Sequence, residues 1–197
     1  VTTGAITPKT LTATVTTQNR AYDGTTDGTI TGCTLSGVIG TEDVTCVTSG
    51  ATATFDTKHI GTAKSVTIAG LTTGGSATLA NYTLASGASS SANITAKALT
   101  VSGLTGTGRV YDGTTTASAT GSASLVGIVS PDIVTIGGSP TFTFVSANAG
   151  VGVSITTSGY TLGGANASDY SITQPTLSAT ITPKTLTATV TTQNRAY

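Results

Sequence analysis

The stretch ITPKTLTATVTTQNRAY occupies residues 6–22, and its central run KTLTATVTT alternates between an aliphatic side chain and a threonine. A period of two puts Leu11, Ala13 and Val15 on one face and Thr10, Thr12, Thr14 and Thr16 on the other. Successive side chains of a strand point to opposite sides, so this is the pattern of a strand packed on one face and wet on the other. KSVTIAGLT repeats it with Val66 and Ile68 inward, and DIVTIGG and PTFTFVS do the same in the second half of the chain. Glycine-containing turns separate such runs roughly every ten residues, the spacing of short strands in an all-β domain. No window sustains a helical stripe over three turns.

The seventeen residues at 6–22 recur without a change at 181–197, and a related segment, ITAKALTVSG, begins at Ile94. The three isoleucines Ile6, Ile94 and Ile181 are spaced by 88 and 87 residues. Landmarks recur inside each period. AYDGTTDG at 21–28 answers VYDGTTTA at 110–117, and LSGVIGTEDVT at 35–45 answers LVGIVSPDIVT at 125–135. Phe55 answers Phe144, and LANYTL answers ASDYSI, which matches Tyr82 with Tyr170. The organisation expected is a tail of a preceding unit at 1–5, one repeat at 6–93, a second at 94–180, and the first strand of a third at 181–197. The third copies the first more closely than the second does, so the higher-order period is two repeats. The fold expected is all-β, with tandem small β-sandwich (immunoglobulin-like) modules joined end to end.

Charge narrows the function classes. Eight basic residues balance eight acidic ones, and threonine hydroxyls take the place of charges on the wet faces. Such a chain has no basic patch for nucleic acid, and no apolar run long enough for membrane insertion in this segment. A unit of under ninety residues buries only about 60–65% of the surface its unfolded chain exposes, which leaves little room for an enclosed active site. No cofactor is called for, and the sequence points away from an enzyme. Glu42 is the only glutamate and His59 the only histidine, and His59 aligns with Asn148, so the repeats share no nucleophile–base pair. For a lysine crosslink the second repeat offers only Lys97, with Lys184 just beyond it, and the outward threonine row is not repeated as the flat array that ice binding needs.

Three constellations remain. In the YDG motif, Tyr22, Asp23 and Gly24, and again Tyr111, Asp112 and Gly113, follow a strand and suit a turn: Asp accepts from its own turn and Gly tolerates positive φ. The tyrosine ring is expected to pack while its hydroxyl finds a backbone partner. Asp23, Asp27, Glu42 and Asp43 are the clustered acids a weak calcium site would draw on, although the second repeat keeps only Asp112 and Asp132 of that set. Cys33 and Cys46 are replaced together in the second repeat, by Ala123 and Ile136, as a bonded pair would be. Pairing Leu35 with Val44 across the turn SGVIGTE places the two cysteines opposite each other on adjacent strands, close enough to bridge.

ITPKTLT, AYDGTT, LSGVIGTEDVT, GTAKSVTIAGLT and ANYTL in the first repeat, with VYDGTTT and SDYSI in the second, resemble the YDG-type repeat domains of large bacterial surface adhesins. Those include filamentous-haemagglutinin-like and two-partner-secreted proteins. The second repeat departs at FVSANAGVGVSI, where Ala147 and Val153 stand in place of Lys58 and Lys64. The resemblance implies an extracellular location on the bacterial cell surface, cell adhesion, and a stalk or filament whose partners are neighbouring repeats of the same chain. It implies no catalytic residue. A different class of function, ligand or glycan binding by the YDG-side loops, is the alternative.

Overall fold

The computed structural model describes residues 4–197 and divides them into two compact units. The first holds the chain up to Lys97 together with Val129–Ile133 and Ala165–Ser171; the second holds Ala98–Ile128, Val134–Gly164 and Ile172–Tyr197. Both are built of strands, with two single-turn 3-10 helices, Leu79–Asn81 and Ala167–Asp169, as the helical elements among the described residues.

The first unit runs β1 (Lys9–Thr17), β2 (Arg20–Ala21), β3 (Asp27–Gly28), β4 (Ile30–Ser36), β5 (Thr45–Val47), β6 (Thr52–Phe55), β7 (Gly61–Ala69), β8 (Thr72–Gly74), β9 (Tyr82–Leu84) and β10 (Ser89–Thr95). They form three sheets, in the orders β4-β1-β9, β2-β10-β7-β6-β3 and β5-β8. The alternation read from the sequence decides which residues go inside. Leu11 and Val15 of β1, Phe55 of β6 and Val66 and Ile68 of β7 are buried, while the threonines between them face out. β1 pairs antiparallel with β4, setting Ala13 against Leu35 and Val15 against Cys33, and parallel with β9, setting Lys9 against Tyr82.

The remaining strands are β11 (Lys97–Gly106), β12 (Arg109–Val110), β13 (Ala119–Val126), β14 (Thr135–Phe144), β15 (Gly150–Gly163), β16 (Tyr170–Thr173) and β17 (Thr176–Thr182), in sheets ordered β13-β11-β16 and β12-β17-β15-β14, and all of their residues but Lys97, Tyr170 and Ser171 belong to the second unit. Phe144, Ile155 and Ile181 centre its core, packed against Phe142, Val153 and Leu177. Here β14 and β15 each cover in one piece what the first unit divides between β5 and β6, and between β7 and β8. A register shift between Gly138 and Thr141 marks where the first unit breaks.

The isoleucine that opens each sequence repeat closes the core of the unit before it. Ile94 and Ile181 are 2% and 1% exposed and pair with Arg20 and Arg109, whereas Ile6 is fully exposed. The first unit therefore ends at Lys97, a few residues later than the repeat phase suggests. The copy at 181–197 behaves unlike its twin. Only Ile181 and Thr182 are in a strand. Leu186 and Val190 are 88% and 84% exposed, where the matching Leu11 and Val15 are 0% and 5%. β1 is held by β4 and β9, whereas residues 183–197 lie in no strand.

Cys33 and Cys46 are bonded, with their Cα atoms 5.8 Å apart. The hairpin that sequence reading places around them does not form. Leu35 lies against Ala13, not Val44, because the long alternating run of β1 takes the edge of β4, and β5 pairs instead with β8. The bond thus ties the β4-β1-β9 sheet to the β5-β8 pair, a link between sheets that no backbone ladder makes. β5 and β8 are three residues each, too short to hold by pairing alone. Replacing both cysteines by alanine is expected to cost about 3 kcal/mol in denaturant unfolding of the oxidised protein, the loop-closure value for a loop of this size. Equal stability of the double variant and the oxidised parent would show that the bond does not hold the short sheet.

Candidate functional site

Two places in the chain concentrate its few charges. The first is the turn after β2, repeated after β12. Asp23 Oδ1 accepts from the Thr25 amide and hydroxyl, both at 2.9 Å, and Asp112 Oδ1 accepts from those of Thr114 at the same distances. Gly24 and Gly113 have φ of 85° and 82°, which an L side chain rarely adopts. The motif is larger than the three letters. Arg20 pairs with Asp23 and donates to the Thr25 carbonyl, and its guanidinium lies 5.2 Å from the Phe55 ring centroid. Arg109 does the same with Asp112, Thr114 and Phe144, at 5.3 Å. A planar guanidinium suits this role because one face covers an aromatic ring while its edge donates in a fixed fork. Burial works upward on Asp23, but Arg20 and the two Thr25 donors outweigh it and hold the carboxyl below its ordinary value. The Thr114 amide, with Arg109, does the same for Asp112.

The second place lies in the first unit, where Val129–Ile133 and Ala165–Ser171 bring two carboxylates to the end of the turn. The Asp132 side chain is 3% exposed. Its Oδ2 accepts from the hydroxyls of Tyr22 and Tyr170, each at 2.7 Å, and Lys58 Nζ stands 3.5 Å from Oδ1. The tyrosine rings meet edge to face at 5.3 Å, and the Val129 amide donates to the Tyr170 hydroxyl. Asp169, 1% exposed, accepts from the Ile60 amide and lies 2.8 Å from His59 Nδ1. A buried carboxylate is costly unless every lone pair is served, and here donors converge on each. Tyr170, ahead of Tyr22 and Lys58, holds the Asp132 carboxyl below its usual range against burial. Burial first, and the bond to Asp132 second, push the Tyr22 phenol up and the Tyr170 phenol up to about 12.

Several residues picked out in the sequence stand differently in the fold. Tyr22 is 1% exposed and bonds a carboxylate rather than a backbone carbonyl; Tyr111, its counterpart, is 39% exposed. The calcium candidates do not converge. Asp23 serves the turn, Glu42 accepts from Tyr82, and Asp43 accepts from Ser76. Among the described residues no three of His, Cys, Asp or Glu stand together as metal ligands. Arg20 and Arg109 lie outside the residues that motif reading singles out, yet the sequence carries a signal for them: the chain has three arginines, Arg20, Arg109 and Arg195, and each lies two residues before a YDG-position tyrosine. Asp132 and Asp169 gave no local signal, since their partners lie 110 positions away.

An all-β chain of two homologous units, each carrying an arginine-clamped Tyr-Asp-Gly turn, is a tandem repeat protein defined by that turn. The YDG domain is matched twice, at residues 7–91 and 95–178, and the chain belongs to this family. No curated protein and no solved structure matches it. No helix among the described residues is long and apolar enough to cross a membrane.

Two measurements check the buried cluster. Tyr22→Phe removes a hydroxyl from a buried carboxylate and is expected to cost about 1.5–3 kcal/mol, while Tyr111→Phe should stay within about 0.5 kcal/mol. Equal effects would mean that the Asp132 bond contributes nothing. The pH dependence has two limbs. The lowered Asp132 value stabilises the fold above the unfolded carboxylate value of about 4, and this is lost as pH falls through the folded value. The raised Tyr170 value stabilises it below the ordinary phenol value of 10.0, and this is lost as pH rises through about 12. Tyrosine absorbance should therefore show a late-ionising fraction that Asp132→Asn reduces; a single transition for all six tyrosines would contradict the cluster.

Proposed function

We propose that the chain is a structural segment of a bacterial extracellular adhesin or surface filament, in which serial β units, each a small sandwich, supply length and spacing. The observation that carries this reading is the way successive repeats share material. Asp132, Asp169 and Tyr170 belong by sequence phase to the second repeat and are buried in the first unit. One residue, Ala96, separates β10 from β11. A disulfide suits an oxidising compartment, and surfaces of hydroxyls in place of charges make such an array insensitive to salt. In this reading the neighbouring repeats are its partners and the bacterial cell surface is its location, which the resemblance of its motifs to filamentous-haemagglutinin-like proteins supports.

Small-angle scattering on chains of two, four and six repeats tests this. A stalk requires the radius of gyration to rise in near proportion to repeat number; growth with about the 0.38 power of length, as for a compact globule, would refute it. Reproducible binding of the two-repeat chain on a glycan array would favour the alternative, an adhesin module that uses its YDG-side loops.

A further inference from the structure

The cluster around Asp132 has two halves, and each repeat carries a version of both. One half is the turn end of the first repeat: Gly24, Tyr22 and His59. The other is a loop pair from the second repeat: Val129, Asp132, Asp169 and Tyr170. They meet at three points, all within the first unit. Val129 packs over Gly24, where an added Cβ would come within 2.9 Å of its Cγ1. Tyr22 bonds Asp132, and His59 meets Asp169.

The loop half exists again in the first repeat, assembled but uncovered. The Ile39 amide donates to the Tyr82 hydroxyl at 3.2 Å, and that hydroxyl donates to Glu42 Oε2 at 2.6 Å, as Val129, Tyr170 and Asp132 do. Asn81 holds the place of Asp169. Ile39 is 51% exposed, Glu42 and Asn81 are exposed, and an open groove of about 420 Å³ lies beside them, lined also by Ile6 and Pro8. The turn half exists again in the second repeat, equally bare. Gly113 has nothing nearer than the hydroxyl of Tyr111 at 4.0 Å, Tyr111 is exposed, and Asn148 stands where His59 does.

We propose that the Ile39–Glu42–Tyr82 face of a first-type repeat is the docking site for the Tyr111–Asn148 end of a second-type repeat of the same family. In that contact Ile39 fills the space over Gly113, the Tyr111 hydroxyl donates to Glu42, and Asn81 meets Asn148. The substitutions match across the joint. Where one half carries His59 the other carries Asp169, and where one half carries an amide so does the other. Amides pair with each other, donor to acceptor, without a buried charge. The array then alternates a contact holding two carboxylates with one holding a single carboxylate, Glu42, which accounts for a higher-order period of two repeats. The occupant is indicated by sequence order, since the segment after the second repeat, residues 181–197, is the copy of 6–22 that opens a first-type repeat. The proposal rests on the serial-array reading given above.

The test extends the full chain after Tyr197 with a second copy of residues 23–97, completing a third repeat identical to the first. Tetranitromethane nitration of Tyr111, read by peptide mass spectrometry, reports its cover. Tyr111 should react about tenfold more slowly in the extended chain than in the 197-residue chain, a joint closed about nine-tenths of the time. Combining Asn148→Asp with Asn81→Asp in the appended copy sets two carboxylates face to face and should abolish the protection. Combining Asn148→His with the same Asn81→Asp recreates the pairing of His59 with Asp169 and should retain it. An unchanged nitration rate on extension overturns the proposal, and so does protection that ignores the like-charge pair. Scattering that fails to grow with repeat number would refute the stalk and leave Tyr111 protection untouched, so the two readings fail separately.

Discussion

A strand leaves its backbone amides and carbonyls unserved until another strand lies beside it. That constraint governs this protein more than any side chain does. Residues 9–17 form β1 because β4 lies on one side and β9 on the other, and their aliphatic face then has a core to enter. The same letters at 184–192 have the same propensity and the same alternation, yet no strand forms. Propensity for strand is largely a measure of fit to a pleated, half-buried surface, and it has no effect where no such surface is offered.

Charge is used sparingly, and for that reason its positions are informative. Of eight acidic residues, Asp132 and Asp169 have buried side chains, and hydrogen-bonding partners converge on each. Removing one partner would leave a buried charge unpaired, which costs several kcal/mol, whereas a surface threonine exchanged for another polar residue costs almost nothing. The elements of this cluster are therefore where the chain resists substitution. The YDG turn belongs to the same economy. Arg20 and Arg109 cover Phe55 and Phe144 while their edges hold the turn, so one side chain seals a small core and rigidifies the loop above it.

The two units show how a change of a few residues redistributes strands without changing the fold class. In the first, β5 and β8 stand apart as a separate pair, fastened to β4 through Cys33 and Cys46. In the second, both cysteines are absent, and the corresponding residues run on into β14 and β15. A covalent link does in one repeat what continuous pairing does in the other.

The all-β class, the repeat, the inward faces of Leu11, Val15, Val66 and Ile68, the Asp-Gly turns and the cysteine bond were all legible in the sequence. Each depends on residues close in the chain or on comparing one repeat with another. Strand partners were not, since a hairpin is only the nearest of several pairings open to a strand, and Leu35 took Ala13 in preference to Val44. Nor was the joint. The tertiary structure alone brought Tyr22 to Asp132 and His59 to Asp169, buried Tyr22 while leaving Tyr111 bare, and made one copy of ITPKTLTATVTTQNRAY a strand and the other not. Local sequence sets what a segment is able to bury and bond, but the partners that satisfy it come from distant segments, and only the folded chain decides which of them arrive.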